Sequence, residues 1–177
     1  MIHFLTPYSK GNLGEAYNES IAKIDLGEKD WVCLMDGDVM FLNENWGDII
    51  HSYVKDFGEE YGLLTCLTNR IFETSQLYGG KVSPEPNILR HKSIADRLGR
   101  LKGSVVETAS NISGFLMLFP ASTICKVGTF KEGILGVDND FCRRVRESGL
   151  KVGVMQTLYM FHFYRLHKNI SDKSHLR

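Results

Sequence analysis

The sequence predicts an α/β domain with a mixed, mostly parallel sheet flanked by helices. Three features point there. Short apolar runs alternate with amphipathic stretches along the chain. One run, Trp31 to Met35, is apolar at every position, the pattern of a central strand covered on both faces. Hydrophobic residues make up 43% of the 177 residues, enough to fill the core of one domain over 1–177 rather than two.

Taken in order, Ile2 to Thr6 reads as a first strand stopped by Pro7, and Gly11 to Gly14 as a loop. Glu15 to Ile24 reads as a helix with Ala16, Ile21 and Ile24 as its apolar points. After the Trp31 to Met35 strand, Trp46 to Phe57 places Ile49, Ile50, Tyr53, Val54 and Phe57 at helical spacing. Tyr61 to Leu67 returns as a strand. Thr74 to Pro86, with two glycines and two prolines, reads as a loop. Ile88 to Leu101 is a helix, Phe115 to Phe119 a strand and Ala121 to Val127 a short helix. Phe141, Val145 and Leu150 mark the core side of a further helix closed by Gly149, and Lys151 to Phe163 supplies the final strands.

Lysine plus arginine equals aspartate plus glutamate at 21 each, and no basic stripe appears before the last dozen residues. A duplex nucleic-acid partner is therefore not expected. The first residues lack the basic flank and apolar run of a signal peptide. The longest stretch of glycine or apolar residues, Gly114 to Ala121, spans eight positions including Pro120, against roughly 20 for a bilayer crossing. Cys33, Cys66, Cys125 and Cys142 form no CxxC pair and sit beside apolar residues, which reads as buried free thiols in a cytoplasmic protein. Neither a Gly-x-x-x-x-Gly-Lys-Ser/Thr loop nor a Gly-x-Gly-x-x-Gly turn follows the first strand.

Three constellations carry chemistry. In the first, the Trp31 to Met35 strand ends abruptly at Asp36-Gly37-Asp38, which brings two carboxylates to a strand's carboxyl end, where open α/β sheets bind ligands. Gly37 lets the backbone turn and approach a ligand. Paired carboxylates repel unless a cation or protons intervene, and their oxygens suit Mg²⁺ or Mn²⁺. The same triplet is also an ordinary turn sequence. In the second, Gly136 to Arg144 opens a helix in which Asp138 or Asn139 can cap, and Asp140 can pair with Arg144 at i,i+4. Asp138 can equally act as a general base on an acceptor hydroxyl. In the third, His162 stands in the aromatic run Leu158 to Arg165, as a metal ligand alongside Asp38 or as a hydrogen-bonded core histidine.

The order of these segments resembles the GT-A glycosyltransferases, especially the family 2-like group. The pattern runs from Thr6-Pro7-Tyr8 and the Gly11 to Asn18 turn, through Asp36 and Asp38, to Ser113-Gly114 before an apolar strand. It then reaches Asp138, Asp140 and Arg144, and finally His162. The position before Asp138, usually Glu in the family, is Val137, so Asp138 and Asp140 both stand as candidate bases. The chain is also short for the family. The resemblance implies a GT-A fold and transfer of a sugar from a UDP- or GDP-linked donor to an acceptor hydroxyl, with inversion. The acceptor would be a carbohydrate, lipid-linked or protein group. Asp38, Asp36 and His162 would hold Mn²⁺ or Mg²⁺. Thr6, Pro7, Tyr8, Asn18, Asp36, Gly37 and Asp38 would bind the donor, with Thr6, Pro7 and Tyr8 lining the nucleoside pocket. Asp138 would be the base. The rival expectation is a degenerate transferase that binds a nucleotide sugar without turnover. An oligomer is compatible with either.

Overall fold

The computed structural model describes residues 1–166; apart from Leu166, the last dozen residues lie outside that range. The elements run β1 (Ile2–Leu5), α1 (Leu13–Ala22), β2 (Trp31–Met35), β3 (Val39–Phe41), α2 (Trp46–Phe57), β4 (Tyr61–Thr68) and α3 (Ile88–Leu98). They continue with β5 (Val105–Glu107), β6 (Leu116–Pro120), α4 (Ala121–Val127), α5 (Val137–Glu147) and β7 (Lys151–His162). The segment between β4 and α3 holds two single-turn 3₁₀ helices, Thr74–Gln76 and Tyr78–Gly80, where the sequence predicted a plain loop.

All seven strands form one mixed sheet in the order β1-β2-β6-β4-β7-β3, with β5 also on β7. Only β1–β2 and β4–β7 are parallel, and the other pairings are antiparallel. The expectation of a mostly parallel sheet is therefore corrected. A strand apolar on both faces reads the same whichever way its neighbour runs. The pairings point β1, β2, β4 and β7 in one direction, so their carboxyl ends share one edge with the amino end of β6.

Both faces of the sheet are covered, which explains the continuous apolar strands. Trp31 and Cys33 of β2 pack with Ile49, Ile50 and Tyr53 of α2, while Val32 and Leu34 pack with Tyr17 of α1 and Phe141 and Val145 of α5. A third cluster joins Ala95 and Leu98 of α3 to Tyr159 and Phe161 of β7. Helix α1 starts two residues earlier than predicted because Asn12 caps it, its side chain accepting from the Glu15 N–H at 3.2 Å. This start puts Gly14 against the backbone of Lys131, where any side chain would collide. Of the four thiols, Cys33, Cys66 and Cys142 are buried, but Cys125 on α4 is exposed. Among the described residues no helix is long and apolar enough to cross a membrane.

Candidate functional site

Strand β2 ends at the shared edge, and the Asp36 N–H continues its pairing by donating to the Phe115 carbonyl at 3.0 Å. Two residues on, the Asp38 carbonyl accepts from the Phe163 N–H at 2.9 Å, which ties the loop to the end of β7. This brings the first and third predicted constellations together. His162 Nε2 lies 3.2 Å from Asp38 Oδ1. Ligand atoms of Asp36, Asp38 and His162 lie within 4.8 Å of one another. Gly37 does not adopt a left-handed conformation; its open side faces only the Thr6 methyl, 3.9 Å from where a Cβ would stand.

Electrostatics at this edge are unbalanced. Burial pushes the Asp36 carboxyl up to about 6, His162 opposes the rise, and the charges of Asp38 and Asp138 add to it. Asp38 is half exposed, and the cost of its partial burial is outweighed by the hydrogen bond and charge of His162, so its carboxyl sits below the ordinary range. Tyr17, buried beneath them, has its phenol pushed far up, first by burial and then by Asp36 and Asp138.

A divalent cation matches this donor set. Two carboxylates and an imidazole suit Mn²⁺ better than Mg²⁺, which prefers oxygen alone. The weaker partner is His162. Its Nδ1 is buried with no hydrogen-bond partner among the described residues. Coordination through Nε2 would move the ring proton to Nδ1, where no acceptor steadies it, whereas ligating histidines usually have one. The carboxylates therefore carry the fit. The ring is held by other means, between Phe115 and Tyr164 at centroid distances of 5.4 Å each, with its backbone N–H and C=O both bonded to the Asn69 amide.

The second constellation separates into two roles. Gly136, in a left-handed conformation, precedes α5, so neither Asp138 nor Asn139 caps the helix as predicted. Asp138 turns inward. Its Oδ2 accepts from the Gly114 N–H at 2.8 Å and its Oδ1 from the Asn139 N–H at 2.8 Å. Burial still pushes its carboxyl above the ordinary range, against those bonds and the charge of Lys131. Asp140 faces outward and is engaged by Arg143 at 2.8 Å and Arg144 at 2.9 Å, and Arg144 also binds the carbonyls after α4. Asp140 is thus one side of an ion-pair network.

The remaining predicted donor residues are scattered. Tyr8 is exposed at the end of the β1 loop, with Thr6 and Pro7 between it and the sheet. The Asn18 amide is occupied at both ends by the backbone of Phe130, at 2.8 and 2.9 Å, and so braces the segment that leads into α5. A cavity of about 300 Å³ opens beside Asp138, lined by Phe72, Glu73, Ser113, Leu135 and Tyr164 among others. A larger cavity, about 570 Å³ between β5, β7 and the 3₁₀ turns, contains none of the predicted site residues. Titratable groups, not volume, single out the smaller one. Sequence reasoning did not assign a role to Tyr17, Asn69 or Gln76, which act through contacts distant in sequence.

No protein-family model matches the chain, and no curated protein sequence does either. The resemblance to the GT-A group rests on the sequence motifs alone.

Proposed function

We propose that the chain is a metal-dependent, inverting glycosyltransferase of the GT-A kind, using a nucleotide sugar as donor. The observation that supports this most is the approach of Asp36, Asp38 and His162 to within 4.8 Å of one another, near enough to Asp138 for its charge to act on Asp36, with Asp138 lining a cavity. Asp38 and Asp36 would hold a divalent cation, with His162 as the third ligand. A cation held there would supply charge neutralisation to a departing nucleoside diphosphate.

Asp138 takes the proton of the acceptor hydroxyl while the acceptor oxygen bonds to the anomeric carbon from the face opposite the leaving diphosphate. Its raised proton affinity suits a base better than that of Asp140, which two arginines keep ionised. The Gly114 N–H and the Asn139 N–H fix the two carboxylate oxygens, so the group is aimed before an acceptor arrives.

The test is donor hydrolysis. Purified protein is incubated with UDP- and GDP-sugars, with and without Mn²⁺, and released nucleoside diphosphate is measured. Mn²⁺-dependent release supports transfer, since a bound acceptor water replaces the hydroxyl. Nucleoside diphosphate binding without release would instead identify a binding module, and neither binding nor release would overturn the reading.

A further inference from the structure

Three side-chain amides each bond both the N–H and the C=O of one residue far away in sequence: Asn18 on Phe130, Asn69 on His162, and Gln76 on Ser113. The third is the most deeply placed. Gln76 is fully buried; its Oε1 accepts from the Ser113 N–H at 2.7 Å, and its Nε2 donates to the Ser113 carbonyl at 3.0 Å and to Thr65 Oγ1 at 2.8 Å. Ser113 lies beyond the ladder of β6, whose pairing with β2 begins at Leu116. The amide, which offers donor and acceptor from one end, replaces the missing strand partner. Leaving the buried Gln76 amide unpaired would be costly, so the segment is pinned to β4 through Thr65.

What is pinned is the frame of the whole edge. The Gly114 N–H donates to Asp138, the Phe115 carbonyl accepts from the Asp36 N–H, and the Phe115 ring stacks on His162. The approach at Gly114 is close enough that a Cβ there would stand 3.0 Å from the Asp138 Cβ. We infer that Gln76 is a positioning residue for Asp138, holding the 113–115 backbone so that the Gly114 N–H stays on the carboxylate. The catalytic consequence rests on the transferase reading; the positioning does not.

The test is Q76M, close in size and without the amide, measured in two ways. Turnover of the donor in Mn²⁺ should fall about tenfold to a hundredfold in kcat with KM for the donor nearly unchanged, the signature of a displaced base. Independently, carbon-13 NMR of the Asp138 carboxyl should titrate at higher pH than in the wild type, because the charged form loses the Gly114 hydrogen bond. The titratable and charged groups around Asp138, namely Asp36, Tyr17, Cys142 and Lys131, with Glu73 and Arg165 lining the same cavity, are untouched by the substitution. If the wild type turns over no donor and the Asp138 midpoint still moves, the transferase reading fails and the positioning stands. An unchanged midpoint in folded Q76M overturns the positioning role. Should Q76M lose its cooperative melting, Thr65→Val, which removes the acceptor that anchors the Gln76 amide to β4 and adds no charge, takes its place, and the same midpoint comparison decides.

Discussion

Asp30 and Asp140 stand among cations, whereas Asp36 and Asp138 stand near each other. Asp30 receives the N-terminal ammonium at 2.6 Å and His3 Nε2 at 3.0 Å, and these hydrogen bonds hold its carboxyl far below the ordinary range. Asp140 has two arginines on it, which overcome the cost of its partial burial. Asp36 and Asp138 are both pushed up by burial, opposed at Asp36 by His162 and at Asp138 by backbone N–H groups and the charge of Lys131. Arginines lie one turn along α5 and turn the other way. The proposed cation would act where burial raises two neighbouring carboxyls that His162, Lys131 and backbone N–H groups only partly offset.

The sharpest way to break this contrast is to neutralise one acid of each kind in the same helix. Asp138→Asn is expected to retain donor affinity and lose turnover by about 10²- to 10⁴-fold, the usual worth of a general base. Steady-state kinetics on donor hydrolysis would show it, and unchanged turnover would remove Asp138 from the chemistry.

The second effect is on stability. The Asp36 carboxyl sits at about 6 when folded against an ordinary 3.8, so the folded state favours its protonated form. The associated stabilisation is present below about 3.8 and is lost as pH rises through about 6. Asp36→Asn should therefore be more stable than the wild type at pH 8 without metal, by something of the order of 2 kcal/mol. The two should converge near pH 4, and Mn²⁺ should restore the wild type but not the variant. Denaturant unfolding at the two pH values checks this; a variant less stable at pH 8 would contradict it.

The smallest effect belongs to the paired acid. Asp140→Asn should lower stability by about 0.5 kcal/mol, as expected for a partly exposed i,i+4 pair, and leave turnover within about twofold. A kinetic loss as large as that of Asp138→Asn would erase the distinction between them.

Much of this edge is legible in the sequence. The apolar run that stops at Asp36, the helix opening near Asp138 and the strand that carries His162 are local patterns, and all three are where the sequence places them. Strand direction was not legible, because β2 and β6 are apolar on both faces in either orientation. Strands β3 and β5 escaped notice because three residues such as Val39–Phe41 are too short for a period to emerge. Asn12 caps α1 three residues ahead of the predicted helix, and Tyr17 is buried where the sequence marks Ala16, Ile21 and Ile24 as the apolar points. The amides of Asn18, Asn69 and Gln76 look like ordinary polar residues until the fold places Phe130, His162 and Ser113 against them. Asn18, assigned to the donor on resemblance, braces Phe130 instead of presenting a free amide.

The most direct measurement of the central claim is calorimetric titration of Mn²⁺, with nucleoside diphosphate present, into the wild type and Asp38→Ala. Asp38 is half exposed at a strand end, so its loss leaves the core intact, and unchanged thermal melting serves as the control. The wild type is expected to bind one Mn²⁺ with an affinity that rises with pH through about 6 as Asp36 ionises, and the variant to lose at least about tenfold in affinity. Equal Mn²⁺ affinity in the two proteins, or no pH dependence in the wild type, would contradict the account of this edge as a metal-dependent donor site.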